Sequence, residues 1–225
     1  MHLHVVREGA GPVVVLTHGL GDSSDTWSPV AASLVERFTV VRWDLRGHGG
    51  SDAPDEPQAY SRELAVADLD GVLAGLRRPV LVGHSLGGYI SLARAVQRAD
   101  DIAGLVLLAS GPGFRNPVSR QRWNEGIHEN AERYGVPAPV LGLGLQPDDV
   151  VIGSVPSLDI PLLVLVGDRD DPSYHAGASF LASQVPGCRV EVLPGGHRFH
   201  VSAAARVAEV IGSFVAEACE PLTRM

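Results

Sequence analysis

Six short runs of Val, Leu and Ile recur along this chain, most of them separated by segments with helical spacing. The runs are Val13–Thr17, Phe38–Trp43, Pro79–Val82, Ile102–Ala109, Pro161–Val166 and Arg189–Leu193. Near-continuous β-branched and apolar sequence of this length reads as strands covered on both faces, the situation of a parallel sheet. Between them, Arg62–Leu76 places Leu64, Ala67, Leu69, Val72, Leu73 and Leu76 roughly along one stripe. Leu86–Arg98 carries Ile90, Leu92, Ala93 and Val96, and Ala203–Ala218 carries Val207, Val210, Ile211, Phe214 and Val215. Such stripes cover sheet faces. The expected fold is therefore α/β: a doubly wound, mostly parallel sheet with helices on both sides.

One interval, about 111–158, breaks the rhythm. It has six prolines, many polar residues and one good helical patch around Ser119–Tyr134. It is too long for a plain loop and too poor in apolar residues for a core of its own. A small helical lid inserted between two strands accounts for it, with a long helical connection as the alternative. Residues 1–225 otherwise read as a single domain.

Composition narrows the function. The net charge is −8, and all 18 basic residues are Arg with no Lys. An acidic chain without a basic stripe is a poor partner for nucleic acid or an anionic membrane. Cys188 and Cys219 are too few for a disulfide framework and lie in no zinc-type spacing, so no metal is expected. The start of the chain shows no basic-then-apolar leader, and no apolar run is long enough to cross a bilayer. A cytoplasmic protein acting on a small molecule, without a cofactor, is the expectation.

The most informative segment runs from Pro79 to Tyr89 and contains Gly83-His84-Ser85-Leu86-Gly87 between a buried strand and a helix. A serine forced into so tight a strand-to-helix turn takes a strained backbone. Side chains two residues before and after it would collide, which explains Gly83 and Gly87. The turn lifts the Ser85 hydroxyl above the carboxyl ends of the strands, where open α/β sheets bind ligands. It also sets the Leu86 amide at a helix N-terminus, aimed at developing negative charge.

In this context the chain resembles the α/β-hydrolase family, on its serine-nucleophile, esterase-like branch. Thr17-His18-Gly19-Leu20-Gly21 follows a buried strand where that family has its oxyanion loop, which implies the Leu20 amide as a second donor opposite Leu86. Asp44-Leu45-Arg46-Gly47-His48-Gly49-Gly50-Ser51 resembles another turn of the family. The chain begins at what resembles the family's second strand, so the first is expected to be missing or reduced.

A serine hydroxyl needs an adjacent base, itself oriented by a third group. The family's order is serine, acid, histidine. Three carboxylates compete after Pro161–Val166, namely Asp168, Asp170 and Asp171; the family spacing Gly-x-x-Asp selects Asp170, and Asp171 is expected to begin the turn ahead of Pro172. After the last strand, Gly195-Gly196-His197 matches the family's histidine. His200, three residues on, is expected to be structural or to touch the lid; an H-x-x-H metal pair lacks a completing ligand.

The other histidines have plainer expectations. His18 and His48 hold loop backbone, His84 packs under the elbow, and His128 and His175 lie at the surface. Trp27 and Trp43 fit core positions. Trp123, in the lid, is a candidate for the substrate pocket. Arg115, Arg120 and Arg122 near the lid's start either meet an anionic substrate or form a solvated helix face.

The resemblance implies a serine hydrolase that cleaves a small carboxylic ester, thioester or lactone through an acyl-enzyme. Family members with Asp at the elbow, the haloalkane dehalogenases and epoxide hydrolases, are set apart by Ser85. A lyase or C–C bond hydrolase on a small carboxylated metabolite is the alternative, and a ligand receptor on the same fold is a third. The shortness of the lid suggests an open or modest pocket.

Overall fold

The computed structural model of the protein describes residues 1–223. Its strands are β1 (Val5–Glu8), β2 (Val13–Thr17), β3 (Thr39–Trp43), β4 (Val80–His84), β5 (Gly104–Leu108), β6 (Leu162–Gly167) and β7 (Arg189–Leu193). They form one sheet in the order β1-β3-β2-β4-β5-β6-β7. Every pairing is parallel except β1 with β3, where Val5 lies opposite Trp43. The order reverses at β2, so the crevice of a doubly wound sheet opens beside β2 and β4.

The period of two in the central strands sorts their side chains between two cores. Val15, Leu81, Leu105, Leu107, Val164 and Val166 face helices α2 (Arg62–Leu73), α3 (Leu86–Gln97) and α7 (Pro172–Gln184). Leu16, Val80, Val82, Val106, Leu163 and Leu165 face α1 (Ser28–Leu34) and the long C-terminal helix α9 (Ala204–Thr223). Each large side chain buried this way contributes about 1.5–3 kcal/mol, and Trp27 and Trp43 are fully buried, as expected.

Two expectations need correction. Strand β7 is not covered on both faces: it is the last strand of the sheet, and Val190 and Val192 remain 40% and 57% exposed. The alternation of Arg189 and Glu191 with these valines would by itself turn the valines inward, yet Glu191 is the less exposed residue, so the edge position and not the alternation sets what this strand covers. The 111–158 interval also holds more than one helical patch. It contains α4 (Pro117–Glu129), α5 (Ala131–Tyr134), a 3-10 turn at Ala138–Gly144 and α6 (Val150–Ser154). Its second half is not poor in core residues, because Val140, Leu143, Val151, Val155 and Leu158 are buried in the same cluster as α2 and α3. Turns of four to seven residues are too short to display a helical period.

Among the described residues no helix is long and apolar enough to cross a membrane. Both cysteines are free; Cys219 is buried, but Cys188 is only half-buried.

Candidate active site

Strand β4 ends and α3 begins without a linking loop, and Ser85 is the single residue of the corner. Its φ is +51°, in the left-handed region that a side-chain-bearing residue rarely occupies. The corner closes because its flanking glycines lack side chains. A Cβ on Gly83 would lie 2.4 Å from the carbonyl carbon of Gly87, and one on Gly87 would lie 2.3 Å from the Thr17 carbonyl oxygen. The collision read from the motif is thus a contact with both the turn itself and the neighbouring strand β2.

Three chain segments converge on the serine. His197, in the loop after β7, places Nε2 3.1 Å from Ser85 Oγ and Nδ1 3.2 Å from Asp170 Oδ1. Asp170, in the turn after β6, is almost wholly buried on its side chain. The sequence left three carboxylates open, and each has a distinct place. Asp170 meets His197, Asp168 accepts the Gly195 amide at 2.7 Å and so ties the acid loop to the histidine loop, and Asp171 caps α7 through the Ser173 amide at 2.8 Å.

His84 packs beneath the elbow and fastens it to the histidine loop: its Nε2–H donates to the His197 carbonyl at 2.8 Å. Burial holds the His84 imidazole well below its ordinary pKa, with His200 and His197 adding to the effect. Across the corner, the Gly19–Leu20 loop lies against Ser85, close enough that a Cβ on Gly19 would be 3.3 Å from the serine Cβ. His18 and His48 brace this loop. The Leu45 amide donates to His18 Nε2, whose Nδ1–H donates to the Gly19 carbonyl, and the Gly21 amide donates to His48 Nε2. Burial and the nearby His48 push His18 down to about 3, so it stays neutral. Leu20 and Leu86 both line the cleft above Ser85.

The cleft has a volume of about 1020 Å³. That is the upper end of ordinary ligand pockets and larger than a modest pocket. One wall comes from α4 and α5. Trp123 lines it, held by its indole N–H donating to the Gly144 carbonyl at 2.9 Å. Of the three arginines near the start of this segment, only Arg122 lines the cleft. Arg120 donates to the Phe114 carbonyl, and Arg115 stacks over the Phe180 ring at 5.5 Å. His128 is exposed and His175 partly so.

His200 is fully buried, stacked on Trp27 and His84, and touches the segment around Thr26 rather than α4. With Asp22 and His84 it brings three ligand-type atoms within 4.8 Å of one another. The grouping suits packing better than chelation. The two imidazoles stack at 4.0 Å, so they would have to spread before both could aim lone pairs at one ion about 2.1 Å away. Asp22 is moreover engaged by Arg198 at 2.8 Å.

One residue of the site escaped the sequence reading. Tyr174, in the first turn of α7, stacks on His197 with ring centroids 4.8 Å apart and lines the cleft beside Ser85. The available signal was its place in the helix turn that directly follows the acid loop.

This geometry can pass a proton from a hydroxyl to an imidazole whose other nitrogen faces a buried carboxylate, next to two amides at a helix start and a loop. Comparison with known proteins gives it a setting. The alpha/beta hydrolase family model matches residues 14–210. An uncharacterised protein of Mycobacterium bovis is 42% identical over 104 residues, covering 46% of this chain; the chain spans about 30% of the length of that curated relative. A putative 2-succinyl-6-hydroxy-2,4-cyclohexadiene-1-carboxylate synthase of Bacillus subtilis is 23% identical over 94% of this chain and 93% of its own length. Among solved structures, the enol-lactonase of Burkholderia xenovorans LB400 superimposes with a TM-score of 0.78 at 24% identity, covering 95% of this chain and 96% of the other.

Proposed function

We propose, since the chain belongs to the alpha/beta hydrolase family, that it is a serine hydrolase cleaving a small carboxylic ester, thioester or lactone through an acyl-enzyme. The observation that carries this reading is the unbroken line Ser85 Oγ, His197 and Asp170, with contacts of 3.1 and 3.2 Å, at a serine held in a strained backbone.

In this reading His197 Nε2 takes the Ser85 proton while Oγ attacks the acyl carbon. The amides of Leu20 and Leu86 hold the resulting oxyanion, each lowering the barrier by roughly 3 kcal/mol. Asp170 fixes the ring with its proton on Nδ1 and stabilises the imidazolium. His197 then protonates the leaving group, and the cycle repeats with water as the attacking group. The segment 111–158 acts as a lid, and Trp123 on its inner face bounds the acyl or alcohol pocket. No step calls for a metal or cofactor.

The test is a panel of p-nitrophenyl acetate, butyrate and octanoate, with a thioester and a lactone beside them. Saturable hydrolysis of at least one class is expected, with the preferred chain length reporting how the cleft is filled. No turnover of any member would set the hydrolase reading aside in favour of a lyase or C–C hydrolase on a small carboxylated substrate. Arg122 at the cleft and the near-full-length match to the Bacillus synthase are the observations that favour that second reading.

A further inference from the structure

Gln146, in the inserted segment, lines the cleft but is only 6% exposed, and its Oε1 is buried without a hydrogen-bond partner. Among the described residues no bond reaches its Nε2 either, so the whole carboxamide is unpaired. A carboxamide has two donor hydrogens and two acceptor lone pairs, and buried ones nearly always find partners. Left unpaired it costs stability, a cost that an apolar side chain of the same length would not carry.

The backbone around it is firmly tied. The Gln146 amide donates to Asn124 Oδ1 at 2.8 Å, and Asn124 Nδ2 donates to the Gln146 carbonyl at 3.1 Å, which fastens the residue to α4. Two residues on, Asp148 accepts both Nη1 and Nη2 of Arg62, at 2.6 and 2.8 Å, which fastens the segment to α2. Gly113, at φ +93°, passes against the carboxamide: a Cβ there would lie 2.9 Å from Oε1 and 3.5 Å from the Tyr89 ring. Tyr89 and Gly113 line the cleft as well. Tyr89 is one turn along α3 from the nucleophile, its amide donating to the Ser85 carbonyl at 3.1 Å. A fixed, unpaired amide thus borders the cleft beside the helix turn that follows Ser85.

The group that matches it is neutral. Arg62, whose Nη1 lies 3.5 Å from the Tyr89 hydroxyl, is already paired with Asp148 and with Glu63 at 2.6 Å, and so has no charge to spare for an anion. A hydroxyl donates to Oε1 or accepts from Nε2 with equal ease. The terminal torsion of a glutamine side chain is soft, so the carboxamide can turn either end toward it.

We propose that Gln146, beside Tyr89 and Gly113, forms a polar subsite that binds a hydroxyl group of the substrate away from the bond that Ser85 attacks. The proposal rests on the serine-hydrolase reading above and narrows its substrates to hydroxylated esters, thioesters or lactones. Gln146 sets specificity and takes no part in making or breaking bonds.

The experiment measures kcat/KM of wild type and Gln146→Met on matched pairs that place the hydroxyl on either side of the ester. The pairs are the p-nitrophenyl esters of 3-hydroxybutyrate and butyrate, those of 6-hydroxyhexanoate and hexanoate, and 4-hydroxybutyl with butyl butyrate. Methionine keeps the length of the side chain and removes the amide; a urea midpoint checks the fold, and Gln146→Leu takes its place if methionine lowers it. Wild type is expected to favour the hydroxylated member of at least one pair by roughly three- to ten-fold, the worth of one neutral hydrogen bond. In the variant that ratio should fall to within about two-fold of unity, with the plain ester hydrolysed at no less than about half the wild-type rate. No preference in wild type, a preference that survives in the variant, or both members of a pair slowed together overturns the proposal. A wild type that turns over no ester of any pair overturns the underlying hydrolase reading and the subsite with it, a result distinguishable from failure of Gln146 alone, in which the plain esters are still cleaved.

Discussion

The φ of +51° at Ser85 is tolerated because its surroundings leave the backbone no other course. The Ser85 amide donates to the Leu108 carbonyl at 2.9 Å, and the Tyr89 amide donates back to the Ser85 carbonyl at 3.1 Å, so the residue is pinned from the sheet and from the helix. The same logic separates the carboxylates after β6. Asp170→Asn leaves an amide facing His197 Nδ1 and permits the wrong tautomer, so kcat for the hydrolysed ester should fall by roughly 10⁴-fold. Asp168→Asn keeps an acceptor for the Gly195 amide and should cost no more than about ten-fold, the worth of one hydrogen bond. Steady-state kinetics on the two variants decides the matter, and the reverse ranking would place the acid at the wrong residue. Ser85, His197 and Asp170 were legible because each sits in a short motif of glycines at fixed spacing. Tyr174 was not, since a tyrosine in the first turn of a helix has no motif and only the fold brings it to His197.

The elements follow from two kinds of local constraint, apolar period and close backbone approach. Gly87 at the start of α3 has no room for a side chain, and Gly87→Ala should destabilise by about 1–3 kcal/mol while displacing the elbow and removing activity. Gly71 provides the contrast. It lies in α2 near its end, is exposed, and has nothing within 4 Å of a would-be Cβ. Gly71→Ala should stabilise by about 0.4–1 kcal/mol with activity intact. Urea midpoints of the two variants check both signs. Six of the seven strands and the helices α2, α3 and α9 could be read from sequence because a period needs several turns to show itself, whereas α7, at 13 residues, was not among the helices expected. The 3-10 turn at Ala138–Gly144 and α6 could not, although Val140 packs against Tyr60 near Gly47 and ties this part of the insertion to the main core. Strand β7 departs from the expectation for a different reason: it is the outermost strand, and its valines Val190 and Val192 lie on a face that stays exposed, which neither apolar content nor alternation signals.

Over the whole molecule, the sheet keeps several imidazoles out of water. Burial, then the neighbouring Arg198, holds His200 down to about 3; His18 stands at about 3, and burial holds His84 well below its ordinary value too. An unfolded chain titrates these groups near 6.5. Between about pH 6.5 and 3 the unfolded state therefore binds protons that the folded state refuses, and stability falls as pH falls through that window. Each such group contributes a slope of about 1.4 kcal/mol per pH unit once the unfolded histidine is protonated. The urea midpoint should be steady above pH 7 and drop clearly by pH 5. A flat midpoint across that range would contradict the packing of neutral histidines beneath the elbow. The sheet order was not itself legible, since apolar runs name the strands without saying which are neighbours; the chain's membership of its family and the parallel pairings of β2, β4, β5 and β6 supply that link.

The measurement that bears most directly on the central claim is active-site labelling with a fluorophosphonate, read by peptide mass mapping in wild type and Ser85→Ala alongside ester hydrolysis. A single adduct on Ser85, with both label and turnover lost in the variant, is the predicted result. Turnover that survives in Ser85→Ala, or a label carried on another residue, would contradict it.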